Sequence, residues 1–297
     1  MNDSRLVYKY RSFAPRTLEI LTSKKLYFPR PDQLNDPLDC QINIQAEYKR
    51  TESALSQRFS GEELNRKAFL LLALNSHRFI GKQVGKRISL NEVLQMWIGQ
   101  RGIFSLSKTP TDALLWAHYA DGHKGLCLGV DPEKMGLAGK PRMGSVEYVP
   151  APRYTELFLS LVEEIGEFVK PWEEKHSFPD EVGDEFYTHQ ISRITMETLF
   201  VKSEKWKYEE EFRIVSNRSY FYSYSPEGLR EIIFGSKASA ADIRQVRKII
   251  ADPDWEHVKL KRVRHVAGSF DFEIVEHQDK RRRPYHRPRP STSTPSL

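Results

Sequence analysis

Apolar and polar positions change period several times along the 297-residue chain. In VYKYRS, alternation puts Tyr8, Tyr10 and Ser12 on one face of a strand and Lys9 and Arg11 on the other. APRTLEILTSKKLYFPRP then predicts a helical turn with Leu18 and Leu21 on one side. A short strand at 25–28 follows, stopped by Pro29 and Pro31. LNDPLDC is a loop, and QINIQAEY reads as a strand. Residues 52–100 read as helical. Ser60 with Glu63 and Ser89 with Glu92 fit capping boxes, and Leu64, Ala68, Leu71 and Leu72 follow helical spacing.

The second half alternates less regularly. GIFSLS, KGLCLGVD and GSVEYV predict strands, with a short helix TDALLWAHYADG stopped by Gly122. Phe158, Leu161, Val162, Ile165 and Val169 form one helical stripe, and a further helix is predicted over about 184–201. WKYEEEFRIV and GLREIIFG predict strands. Ser239 with Asp242 caps a helix, and VKLKRVRHV with FDFEIV predicts a hairpin. Short strands without regular strand–helix alternation imply an α+β fold. Its central sheet is mixed or antiparallel, with helical insertions at about 52–100 and 152–201. Residues 1–276 read as a single domain.

Composition changes this picture at one place. Of the net +6, five charges come from residues 277–297, where six Lys/Arg stand against Asp279. That Pro/Ser/Thr/Arg-rich tail is expected to be disordered. It is either a solubilising segment or a contact for nucleic acid or an acidic partner. The body is nearly neutral, which argues against a nucleic-acid-binding domain. Two cysteines, Cys40 and Cys127, offer neither a disulfide framework nor a metal spacing, so buried free thiols in a cytoplasmic protein are expected. No apolar run is long enough to span a membrane, and the N-terminus lacks a signal-peptide pattern. Phosphate-binding loops, nucleophile elbows and zinc signatures are absent from the sequence.

Four polar-aromatic clusters carry the candidate chemistry. Around Tyr8, Lys9, Tyr10 and Arg11, the alternatives are an edge strand with solvated cations or an anion clamp, for which an arginine fork is suited. Asn35 and Asp36 either close local turns or, with Asp39, meet a ligand's hydroxyls or amide. Ser105 and Ser107 share a strand face. Trp116 and Tyr119, three apart on a helix, either pack or form a stacking platform with His118 as a polar handle. Glu209, Glu211 and Arg213 share a face if 206–215 is one strand. They form a structural ion pair, or a pair of carboxylates tuned to stabilise a cation or deprotonate a nucleophile.

In the order YKYRS, LNDPLDC, WAHYADGHKGLCLGVD, WKYEEEFRIV and REIIFGS, these clusters resemble a widespread bacterial domain-of-unknown-function family from about Tyr8 to Val275. In that pattern Glu209 and Glu211 are the paired glutamates and Glu210 varies. A weaker resemblance is to ADP-ribosyltransferases, which use a basic residue on the first strand, Ser-x-Ser on a middle strand and Glu-x-Glu on a late one. Arg11 (or Lys9), Ser105 with Ser107, and Glu209 with Glu211 occur here in that order, although Lys9 stands where DNA-modifying members carry histidine. That resemblance implies NAD as substrate and no metal. Glu211 would stabilise an oxocarbenium-like centre and Glu209 would activate an acceptor, protein or nucleic acid. Arg11 would hold the pyrophosphate, and an aromatic among Tyr8, Tyr10, Trp116 and Tyr119 would stack on nicotinamide. It also implies a setting in bacterial conflict or phage defence. Two alternatives stand beside it: a non-enzymatic module that binds or senses a small-molecule ligand, and a metal-dependent hydrolase or nuclease using Asp36, Asp39, His118, Glu209 and Glu211.

Overall fold

The computed structural model describes residues 6–76, 78–80, 87–151, 154–173 and 183–277. Apart from His277, the predicted basic tail lies outside the described residues.

In chain order the first half comprises β1 (Val7–Arg11), α1 (Pro15–Ser23), β2 (Lys25–Tyr27), α2 (Ile44–Arg58), α3 (Gly61–Ser76), β3 (Arg78–Ile80), β4 (Arg87–Ser89), α4 (Leu90–Gln100), β5 (Gly102–Ser107), α5 (Ala113–Tyr119), β6 (Leu126–Val130), β7 (Arg142–Ser145) and β8 (Glu147–Val149). The second half comprises α6 (Tyr154–Glu173), α7 (Gly183–Phe200), β9 (Val201–Ser203), β10 (Glu211–Ser216), β11 (Phe221–Ser223), β12 (Leu229–Phe234), α8 (Ala240–Ile249), β13 (Lys259–His265) and β14 (Phe272–Glu276).

Eight strands form one mixed sheet in the order β14-β13-β12-β6-β1-β5-β10-β7. Only β12 and β13 pair in parallel, joined by the crossover helix α8. The α+β expectation holds. The reading of VYKYRS as an edge strand does not, because β1 lies between β6 and β5 in the interior of the sheet. The expected strand QINIQAEY is instead the start of α2. Asn43 caps it, its side chain accepting from Ala46 N at 3.0 Å, and Ile44, Tyr48, Thr51 and Leu55 form the buried stripe. No helix among the described residues is long and apolar enough to cross a membrane.

Register assigns the two faces of the sheet. Tyr8 pairs with Ser107, Ser107 with Glu211, and Ser105 with Arg213, so these residues share one face. The opposite face carries Val7, Phe104, Leu106, Leu128, Ile214, Ile232 and Phe234. It is covered by Ile20 and Leu21 of α1 and by Ile243 and Val246 of α8. On the first face the apolar cover comes in two parts. Leu115 and Trp116 of α5 pack with Tyr10, Cys127 and Ile233. Helices α2, α3, α4, α6 and α7 pack over Ile103 and Val215. The polar strip of Tyr8, Ser105, Ser107, Glu211 and Arg213 lies between these two clusters. The site is thus a gap between two cores.

One further detail opens that gap. A single register pair, Tyr8 with Ser107, joins β1 to β5, whereas β1 follows β6 from Val7 to Arg11. Beyond that pair Lys9 Nζ spans the opening and donates to Ser105 O at 2.6 Å. Gly129 on β6 serves the same region. A Cβ there would stand 2.5 Å from Glu231 Cγ and 3.1 Å from the Tyr8 ring, so a side chain would force Glu231 aside and crowd that ring.

Candidate functional site

The stretch WKYEEEFRIV is not one strand. Residues Glu204–Glu209 form 3₁₀ turns capped by the Ser203 side chain, and β10 begins only at Glu211. Between them Glu210 adopts a left-handed conformation, with φ of 43°. That residue separates the 3₁₀ segment from the strand, and Glu209 and Glu211 on either side of it both reach Lys202. Strand alternation therefore accounts for Glu211 and Arg213 but not for Glu209.

The two glutamates meet in a buried charge network. Lys202 on β9 donates to Glu209 Oε2 at 2.5 Å and to Glu211 Oε2 at 3.1 Å, and lies 3.7 Å from Asp39. Arg213 donates from Nε to Glu211 Oε1 at 2.7 Å and from Nη2 to Glu211 Oε2 at 3.0 Å. Its other donors reach Asp39, Leu199 O and Cys40 Sγ. Tyr119 donates to Glu209 Oε1 at 2.7 Å and accepts from Asn35 Nδ2 at 2.7 Å. Tyr148 Oη accepts from the Glu211 backbone N–H at 2.7 Å. Arg213 is fully buried, and Asp39, Lys202, Glu209 and Glu211 are nearly so.

Electrostatics separates the members. Burial alone would raise the Glu211 carboxyl, but the Arg213 guanidinium, with Lys202 and the Ser105 hydroxyl, holds it at about 2. Burial likewise acts to lower Lys202, and the carboxylates of Glu211 and Glu209 override it and raise the ammonium above its ordinary value. The Tyr119 phenol is raised by burial and by its bond to Glu209. Lys9 goes the other way: burial and the nearby Arg11 bring it down to about 7, against the opposing pull of Glu211 and Glu209.

A cavity of about 230 Å³ adjoins this network. Of the candidates named from sequence, Tyr8, Lys9, Tyr10, Asn35, Asp39, Ser105, Ser107, Tyr119, Glu209 and Glu211 line it. Besides the buried Arg213, four do not. Trp116 is fully buried, donates from Nε1 to Pro110 O at 2.8 Å and packs edge-on against Tyr10, so it is core and offers no stacking surface. His118 is on the exposed side of α5. Arg11 lies outside the cavity lining, with Nε buried and without a hydrogen-bond partner. Asp36 closes a local turn by accepting from Leu38 N at 2.9 Å, and lines a second, wider cavity of about 810 Å³.

Lys202 was not singled out from sequence, although it touches all three carboxyl groups. Its segment, VKSEKW, carries no motif. It reaches the site because β9 pairs in parallel with β8. Among the described residues, no group of three or more His, Cys, Asp or Glu side chains is placed to hold a metal ion. Asp39, Glu209 and Glu211 are already engaged by Lys202 and Arg213.

Comparison with known proteins adds one match to a family model over part of the chain. Neither the search of curated proteins nor that of solved structures gives a match. Residues 115–214, from α5 to β10 and including Tyr119, Lys202, Glu209, Glu211 and Arg213, match the family model described as a protein of unknown function (DUF2971), as the resemblance to an uncharacterised domain family led one to expect.

Proposed function

We propose that this protein binds a compact polar small molecule in the cavity between its two cores, with the Asp39–Lys202–Glu209–Glu211–Arg213 network as the fixed polar wall. The observation that carries this reading is convergence. Residues from β1, the 33–39 loop, β5, α5 and the turn before β10 surround one opening of about 230 Å³. Preformed cavities with a few convergent polar groups are where ligands bind. The volume falls below the roughly 300–1,000 Å³ typical of sites for drug-sized molecules, which favours a small ligand or one end of a larger one. Two buried, unpaired cysteines support a cytoplasmic setting.

A second reading, NAD-dependent ADP-ribosyl transfer in bacterial conflict or phage defence, is favoured by one observation. Ser105, Ser107, Glu209 and Glu211 line one wall of the cavity, with Ser107 paired in register with Glu211. It ranks second because Arg11, assigned to the pyrophosphate, is not at the cavity. In addition, both Glu211 oxygens are held by Arg213. In this reading only the nicotinamide–ribose end enters.

The test is a thermal-shift panel of compact polar compounds that includes NAD⁺ and nicotinamide riboside. It is run on wild type and on Leu34→Trp, which fills the cavity from its rim. The binding reading expects stabilisation by at least one compound in wild type and its loss in Leu34→Trp. No stabilisation by any compound, or equal stabilisation in both proteins, overturns it. NAD⁺ consumption abolished by Glu211→Gln would move the second reading to first place.

A further inference from the structure

The charge network leaves one cation over. Asp39, Glu209 and Glu211 are all engaged by Lys202 and Arg213. Lys9 lines the same cavity from an interior strand, and among the described residues it forms no ion pair. Its Nζ donates one hydrogen bond, to Ser105 O at 2.6 Å, and lies 4.9 Å from the centroid of the Phe104 ring. An ammonium carries three donors. Half-buried with one acceptor and no paired carboxylate, this group gains by giving up its proton.

The charged and titratable groups around it are known. Arg11 on its own strand opposes the ammonium form. Glu211 and Glu209 favour it from across the cavity, and the Cys127 thiol on β6 is itself held protonated by burial. The balance brings Lys9 into the range where a free amine is present at neutral pH. Lysines so placed serve as nucleophiles toward carbonyl compounds.

We propose that Lys9 is a nucleophilic amine and that the ligand of this cavity is a small aldehyde or ketone, which Lys9 captures as an imine. The idea rests on the small-molecule reading of the cavity and specifies its ligand class. The Nζ lone pair attacks the carbonyl carbon to give a carbinolamine. The carbon–oxygen bond then breaks, and the oxygen leaves as water with the two amine hydrogens. A carbon–nitrogen double bond remains and no redox partner is consumed. Ser105, Ser107 and Tyr119 line the same cavity and present hydroxyls to the carbonyl oxygen.

The experiment treats the full chain with glycolaldehyde and cyanoborohydride, which reduces an imine to a stable secondary amine. Adducts at each lysine are then timed by peptide mass spectrometry. Lys9 is expected to react at least tenfold faster than the exposed Lys124 at pH 7.5. Its rate should level off just above neutrality. Labelling of Lys9 no faster than of Lys124 overturns the proposal. Lys9→Met supplies the control. A compound that stabilises wild type and Lys9→Met equally, with no adduct at Lys9, overturns the imine and leaves the binding reading standing. Rapid adduct formation at Lys9, with no compound stabilising the protein, supports the reactive amine and overturns the binding reading.

Discussion

Arg213 grips Glu211 from two residues along the same strand face, Nε to Oε1 at 2.7 Å and Nη2 to Oε2 at 3.0 Å. The pair is buried, and Arg213 also holds Asp39 from a loop far away in sequence. Removing one partner of a buried pair strands the others, which typically costs about 3–5 kcal/mol. Arg213→Met is therefore expected to lower unfolding free energy by that order in urea denaturation. Arg213→Lys is expected to recover little of it, because an ammonium cannot reproduce the two parallel bonds. In the double variant Arg213→Met/Glu211→Leu the loss should be less than the sum of the two single losses.

Acid stability follows from Glu211. Its folded-state carboxyl titrates near 2, below its ordinary value of 4.5. A depressed carboxyl contributes stability above its unfolded value and loses it as pH falls through the folded one. Wild type is expected to lose stability between about pH 4.5 and 2. Glu211→Gln should show a shallower slope there, the difference being on the order of 3 kcal/mol. Chemical denaturation across that range measures it.

Lys9 is depressed as well, but here the charged form weakens the fold. Its folded value, about 7, lies below its ordinary 10.5, so the unfolded chain binds more protons between those values. Its burial therefore weakens the fold fully below pH 7, and stability recovers as pH rises toward 10. Lys9→Met is expected to be more stable than wild type at pH 6, with the difference shrinking by pH 9. Melting curves at the two pH values check this.

Glu210 holds the turn that brings Glu209 beside Glu211, at a φ of 43° that side chains seldom adopt. Glu210→Gly is expected to stay within about 1 kcal/mol of wild type, since glycine takes this conformation readily. Glu210→Val should cost on the order of 1–3 kcal/mol. It should also weaken any ligand-induced stabilisation, because Glu209 moves with the turn.

Strand alternation in VYKYR, GIFSLS and LREIIF was readable because each strand lies in one sheet with distinct faces. Capping pairs such as Ser89 with Glu92 marked helix starts correctly. QINIQAEY misled because its apolar alternation also fits a helix, and the decisive signal was the capping side chain of Asn43. The turn at Glu210 was hidden because no glycine marked it. For Trp116 and His118 residue type left packing and ligand contact open, and packing against Tyr10 buries the first while helix phase exposes the second. Lys202 was invisible, since its role comes from strand pairing across about 50 residues of intervening chain.

Ligand binding in the cavity is tested most directly by amide hydrogen exchange on the full chain with and without a stabilising compound. Segments 33–39 and 204–211 are far apart in sequence and meet at this opening. Slower exchange in both segments together is the predicted result. Protection confined to one of them, or to other parts of the fold, would contradict it.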